Sequence, residues 1–306
     1  MTIPILNASG CLDALTAPDV ARSLDAFVTK TVTPLPREGN APPRFAEVDG
    51  GMLNSIGLQN PGIDAWCDEA LPSLRALGVP LWVSAGGFSA TDYARVCERL
   101  DGLADVVAIE LNLSCPNVDE APETASELVA AARAVTGKAL YAKLSPATPD
   151  IAEAARAVAD AGADGLSLVN TIRGLALDPM TLRPSLGRGA GGYSGPALRP
   201  IALACVHACA SAVDLPIVGM GGVCTGKDAV DLVAAGAAAI ALGTVLFRDP
   251  CAPARVRAEL GAEVRVRGAR SAAELRGAAT PLATRAGLSS CQATPKVLQI
   301  GQNVTA

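Results

Sequence analysis

Eight short aliphatic runs, each followed by an Ala- and Leu-rich stretch of helical spacing, predict an α/β protein built as a single closed (β/α)8 barrel, the TIM-barrel architecture. Two further observations favour closure. The runs are almost continuously apolar, as strands covered on both faces must be, and polar residues follow nearly every run instead of gathering at one switch point. A doubly wound open sheet is the competing arrangement, but the first turn, Asn7-Ala-Ser-Gly10, lacks a Gly-x-Gly-x-x-Gly fingerprint.

Taken in order, the pattern predicts strands at Ile3 to Ala8, Ala26 to Thr31, Pro80 to Ala85, Val106 to Leu113, Ala139 to Leu144, Gly165 to Asn170, Pro216 to Gly219 and Ala238 to Gly243. Helices are expected at Ala17 to Asp25, Ile63 to Leu77, Ala90 to Asp101, Pro122 to Val135, Pro149 to Ala161, Pro196 to Ala212, Gly226 to Ala235 and Pro250 to Leu260. Several begin at Pro or just after Asp, Ser or Thr, as helix starts do. Two connections, Val32 to Gly62 and Thr171 to Gly195, are too long for turns and are expected to cover the barrel mouth, the Gly- and Arg-rich piece Leu186 to Gly195 as a mobile flap. Residues 1–286 are assigned to the barrel, and residues 287–306, of weak periodicity, to a loose tail.

Composition narrows the function. The chain has 306 residues, half of them hydrophobic, which is enough for one large core. A net charge of −5 and the lack of Lys/Arg runs argue against nucleic acid as a partner. No apolar run reaches membrane-span length, and the start has no signal-peptide pattern, so a cytoplasmic protein is expected. Nine scattered cysteines without a Cys-x-x-Cys pair suggest neither a disulfide framework nor a metal site, and all but Cys115 are expected to act as structural thiols. The single histidine, His207, lies in an Ala-rich helical stretch, which nearly removes Ser-His-Asp chemistry.

In a barrel of this kind the site lies where the strands finish. The closing residues are unusually polar: Ser9 after the first strand, Lys30 and Thr31 after the second, Ser84 after the third, Asn112 to Asn117 after the fourth, Lys143 on the fifth, and Asn170 and Thr171 after the sixth. Strands seven and eight close with Gly219-Met-Gly221-Gly222 and Gly243-Thr244. A glycine alone only permits a tight turn, but two such turns on adjacent strands point to a phosphate held by backbone N–H groups and a helix N-terminus. Lys30 and Lys143 sit inside apolar strand patterns, where an inward lysine must find an anion. A flavin gives Lys143 that task, because reduced flavin carries negative charge. Cys115 differs from the other cysteines because Pro116 breaks the strand and leaves the thiol among hydrogen-bonding side chains. Without a histidine partner, base chemistry aided by lysine charge is favoured over acyl transfer.

The segments Asn7-Ala-Ser-Gly, Thr29-Lys-Thr, Asn54-Ser-Ile-Gly-Leu-Gln-Asn60-Pro-Gly, Asn112-Leu-Ser-Cys-Pro-Asn117, Asn170-Thr171, Ser194-Gly195 and Gly219-Met-Gly-Gly222 together resemble class 1 dihydroorotate dehydrogenases, the FMN barrels of pyrimidine synthesis. The resemblance runs from about Ile5 to the region of Gly277. It implies Cys115 as the base that takes a proton from ring carbon 5 of dihydroorotate, with hydride passing from ring carbon 6 to FMN and orotate as product. It implies substrate contacts from Lys30, Asn54, Ser55, Ile56, Gly57, Leu58, Asn112, Asn117, Asn170 and Thr171. FMN contacts are implied for Ser9, Lys30, Thr31, Ser84, Asn112, Lys143, Val169, Gly195, Gly221, Gly222, Gly243 and Thr244, with Lys143 toward the flavin's pyrimidine end.

Within class 1, Gly57-Leu-Gln-Asn-Pro-Gly62 is similar to the B type, which implies a homodimer of this chain in a heterotetramer with an FAD- and iron–sulfur-bearing subunit that passes electrons to NAD. The alternatives are the A type, which uses fumarate without a partner, and a phosphate-binding lyase or isomerase with a Schiff-base Lys143 or Lys30. A non-catalytic scaffold is disfavoured by the retained polar groups. Two departures stand out: Ser84 replaces an asparagine that usually contacts the flavin, and the chain starts almost at the first strand, lacking the family's N-terminal hairpin segment.

Overall fold

The computed structural model describes residues 2–113 and 124–279. Among them run twelve strands: β1 (Ile5–Asn7), β2 (Phe27–Val28), β3 (Phe45–Val48), β4 (Gly51–Asn54), β5 (Leu81–Ala85), β6 (Val106–Asn112), β7 (Ala139–Leu144), β8 (Gly165–Leu168), β9 (Ile172–Gly174), β10 (Gly191–Ser194), β11 (Ile217–Met220) and β12 (Ala239–Leu242). Eight of them form one sheet in the order β1-β12-β11-β8-β7-β6-β5-β2, every pairing parallel. They are the eight strands expected from the aliphatic runs; β7 is identical, β11 is shifted by one residue, and the others are shorter at their ends.

Between β1 and β2 the circle closes without a ladder. A single parallel bridge joins Leu6 to Ala26, and the buried Asn7 carboxamide adds a pair of hydrogen bonds to the backbone of Val28. The interior is filled by Leu6, Val28, Trp82, Tyr141, Val218 and Met220 with alanines around them. Trp82 and Tyr141 lie 4.3 Å apart between ring centroids. Tyr141 takes the space that a side chain at Gly165 would fill, since a Cβ there would meet its ring at 2.2 Å. Residues of opposite parity, such as Ile5, Val83, Ile109, Leu140 and Ile217, face outward and pack under the helices in the larger core cluster.

Helices cover that outer face. Those at Ala90–Asp101 and Gly226–Ala235 have the predicted bounds, each started by a side-chain cap from Ser89 or Thr225. The predicted helix from Ile63 forms with a π-helical turn, Trp66–Ala70, just ahead of Pro72, whose ring cannot share a regular i→i−4 ladder. The predicted helix at Pro122 to Val135 is seen as Ala125–Arg133, and its first residues fall outside the described range. None of the described helices is long and apolar enough to cross a membrane.

The two long connections join in a second, four-stranded antiparallel sheet of order β3-β4-β10-β9. The stretch expected as a flap, Leu186 to Gly195, instead contains β10, an inner strand of this sheet. Its glycines permit close backbone approach: a Cβ on Gly191 would meet the Asn54 carbonyl oxygen at 2.5 Å. Residues 287–306, expected as a tail, lie outside the described residues.

Candidate active site

At the carboxyl ends of the barrel strands, and under the small sheet, lies a cavity of about 310 Å³. Its walls are the residues closing β1, β2, β6, β7, β8, β11 and β12, together with side chains from β3, β4 and β10.

One end is fixed by Lys143. This lysine is buried on the inward face of β7, and its Nζ donates to Ser9 Oγ at 2.9 Å and to Glu110 Oε1 at 3.2 Å. A separate chain of amides and hydroxyls runs from Asn170 to Ser84. Asn170 Nδ2 donates to Asn112 Oδ1 at 2.9 Å, Asn112 Nδ2 to Thr31 Oγ1 at 3.2 Å, and Thr31 Oγ1 shares a hydrogen bond of 2.9 Å with Ser84 Oγ. Tyr93 holds the end of β6 through its hydroxyl, which donates to the Asn112 carbonyl at 2.5 Å. The polar groups are thus oriented by one another before any ligand is considered.

Another part of the wall is backbone. Gly221 and Gly222 follow β11 with φ of +113° and +78°, conformations that L side chains rarely adopt. A Cβ on Gly222 would meet the Gly195 carbonyl oxygen at 2.8 Å, so the glycine also allows close contact between two loops. The N–H groups of Gly221 and Gly222 have no hydrogen bond to protein among the described residues. The helix N-terminus behind this turn, which the sequence offered as part of a phosphate site, is already occupied: Asp228 accepts from the N–H of Cys224 and Thr225, and Glu259 from that of Gly226. Thr244 Oγ1 donates to Ser194 Oγ at 2.8 Å and ties β10 to the end of β12.

At the rim, Lys30 and Arg44 bring two cations together. Desolvation and then the Arg44 guanidinium hold the Lys30 ammonium below the ordinary lysine range. Arg44 is aimed by Gln59, whose Oε1 accepts at 2.7 Å, and by the Glu38 carbonyl at 2.9 Å. Phe45 and Phe247 stand at the opening with ring centroids 6.2 Å apart.

Of the residues expected at an FMN, Ser9, Lys30, Thr31, Asn112, Lys143, Val169, Gly195, Gly221, Gly222, Gly243 and Thr244 line this cavity. Of those expected at a substrate, Lys30, Asn54, Ile56, Gly57, Leu58, Asn112, Asn170 and Thr171 line it. Two do not. Ser84 is fully buried against Thr31, and Ser55 is fully buried with its hydroxyl accepting from Asn40 Nδ2 at 2.8 Å. Cys115 and Asn117 lie outside the described residues.

The lining also includes Arg44, Phe45, Met52, Gln59, Ser194 and Phe247, and the thiols of Cys11 and Cys224. Cys11 and Cys224 are only half-buried as residues and Cys251 is exposed, against the expectation of structural thiols, whereas Cys67, Cys97, Cys205 and Cys209 are buried. Burial pushes the Cys11 thiol up to about 11, against the pull of Lys143, so it stays protonated at neutral pH. Its place directly after Ser9 and Gly10 was a signal in the sequence; Arg44, Phe45 and Met52 gave none, because they reach the cavity from the inserted sheet.

A family model described as "Dihydroorotate dehydrogenase" matches residues 1–264. The chain belongs to the dihydroorotate dehydrogenase family. Among its relatives, a protein of Latilactobacillus sakei is 47% identical over 263 residues, covering 81% of this chain and 85% of the relative. One of Desulforudis audaxviator is 44% identical over 287 residues, covering 90% and 93%, and one of Geobacter sp. (strain M21) is 44% identical over 245 residues, covering 78% and 80%. All three carry the name "Dihydroorotate dehydrogenase B (NAD(+)), catalytic subunit".

Proposed function

We propose that this chain is the FMN-bearing catalytic subunit of a B-type dihydroorotate dehydrogenase, oxidising (S)-dihydroorotate to orotate in UMP biosynthesis and passing electrons to NAD through a separate FAD- and iron–sulfur-containing subunit. The observation that carries the FMN reading is the cavity's mixed lining: a buried lysine in one part of the wall, and in another the Gly221-Gly222 turn, whose N–H groups, without a protein partner among the described residues, suit a phosphate. Its volume is at the small end of the range for cofactor sites, about 300–1,000 Å³. Lys143, Ser9, Thr31, Asn112 and Val169 would hold the ring system, and Gly195, Gly221, Gly222, Gly243 and Thr244 the phosphate end. Ser84 would act through Thr31.

The chemistry that FMN supplies is acceptance of a hydride. The remaining tasks fall to the chain. Lys30 would bind the substrate carboxylate, and Asn54, Asn112, Asn117, Asn170 and Thr171, with the segment Ser55 to Leu58, would bind the ring amides. Cys115 would remove the proton from ring carbon 5. Relatives named as NAD-linked catalytic subunits support the B type, as does Gln59, which orients Arg44 at the cavity rim. The partner arrangement, a dimer of this chain flanked by two electron-transfer subunits, belongs to the same reading.

Purified alone, the protein should be yellow and reduce an artificial dye with dihydroorotate but not reduce NAD. Co-expressed with its partner subunit, it should reduce NAD. Turnover with fumarate by the isolated chain would establish the A-type reading instead, and trapping of the substrate by borohydride would support a Schiff-base lysine.

A further inference from the structure

Glu110 lies on β6 two residues before Asn112, on the inward face of the barrel. It is 1% exposed. Its carboxylate contacts Lys143 Nζ from one side while Ser9 Oγ holds it at 2.9 Å from another. Lys143 and Ser9 line the cavity and Glu110 does not, so the buried ion pair is oriented with its ammonium toward the cavity and its carboxylate behind. The Cys11 thiol, close enough to feel both charges, remains protonated and adds none of its own.

A buried carboxylate is expensive unless paired. Lys143 would also keep Ser9 as an acceptor without it. The consequence of Glu110 is therefore electrostatic: it partly cancels the positive potential that Lys143 presents to whatever fills that end of the cavity, and in the interior this cancellation is weakly screened.

We propose that Glu110 is a positioning residue that sets the flavin's reduction potential, pairing with Lys143 from behind so that the negatively charged reduced form is held less tightly than by Lys143 alone. The proposal rests on the reading that FMN lies in this cavity with its pyrimidine end at Lys143. It makes the reduced enzyme a better electron donor to a partner subunit.

The test is the midpoint potential of the FMN-loaded protein, equilibrated anaerobically with dithionite and a reference dye, together with FMN affinity measured by fluorescence quenching on the apoprotein. Glu110→Gln should raise the affinity for reduced over oxidised flavin by about tenfold, which for a two-electron couple is a rise of about 30 mV. Lys143→Met, which removes the cation and leaves the carboxylate, should lower the potential, the opposite direction to Glu110→Gln. If Glu110→Gln yields no folded protein, Glu110→Asp, whose shorter reach weakens the pairing, must move the potential in the same direction by less. A flavin-loaded Glu110→Gln protein with an unchanged or lowered potential would overturn the proposal while leaving the cofactor reading intact. A wild-type chain that takes up no FMN would overturn both.

Discussion

The side chain of Asn7 stands in for a peptide group of the Val28 strand: its Oδ1 accepts from the Val28 N–H at 2.8 Å, and its Nδ2 donates to the Val28 carbonyl at 2.7 Å. This pair of bonds lies at the one junction of the barrel where the ladder shrinks to a single bridge. The next residues, Ala8, Ser9 and Gly10, line the cavity, so closing the barrel and positioning Ser9 depend on the same carboxamide.

Asn7→Ala leaves a buried N–H and a buried C=O without partners, at a cost of roughly 2–4 kcal/mol. In urea denaturation the midpoint should fall with little change in slope. A midpoint within error of wild type would mean that the strands close without this side chain.

Gly222→Ala meets a positive φ and a backbone oxygen at 2.8 Å. The left-handed conformation alone costs roughly 1–2 kcal/mol. Because the strain falls on the proposed phosphate turn, FMN affinity should drop by about tenfold or more, equivalent to at least 1.4 kcal/mol. Fluorescence titration of the apoprotein reads this directly, and an unchanged affinity would move the phosphate elsewhere.

Replacing Cys115 with Ala should retain flavin but lower kcat by roughly 10²–10⁴, the usual contribution of a general base. Cys115→Ser should recover activity only toward high pH, since a hydroxyl is a much weaker acid than a thiol. Stopped-flow reduction across pH separates these outcomes from a binding defect.

Lys30 carries a lowered pKa from desolvation and from Arg44, so it loses its proton at a lower pH than a free lysine, near 10.4. If its ammonium binds the substrate carboxylate, KM for dihydroorotate stays flat below the shifted pKa and rises as pH increases through it. Lys30→Arg, which keeps its charge throughout, should flatten that rise even if KM is higher overall. A wild-type KM that falls with pH would remove Lys30 from carboxylate binding.

The barrel was legible because parallel strands buried on both faces are written as short Val-, Ile- and Leu-rich runs. Strand ends were less so. β2 is only Phe27–Val28, although the Thr29 N–H still donates to the Trp82 carbonyl at 3.0 Å, and Lys30 and Thr31 beyond it line the cavity. The second sheet leaves little trace in the sequence because its strands are short and pair over long separations: Asn54 and Gly192 are 138 residues apart. One local signal was there. Asp49-Gly50 joins β3 to β4 as a two-residue hairpin turn, with Val48 paired to Gly51. At the site, Lys143 was found as a charge inside an apolar strand. Glu110 offered the same signal two residues before Asn112, but a carboxylate's importance there emerges only when β7 is laid beside β6. Ser55 and Ser84 read as ligand groups by position, and the fold turns their hydroxyls toward Asn40 and Thr31 instead.

The most direct test of the central claim is anaerobic addition of one equivalent of dihydroorotate to the FMN-loaded chain without its partner. The account predicts loss of the oxidised-flavin absorbance with formation of orotate, in wild-type protein and not in Cys115→Ala on the same timescale. Persistent oxidised flavin in the wild-type protein, with dihydroorotate recovered unchanged, would contradict it.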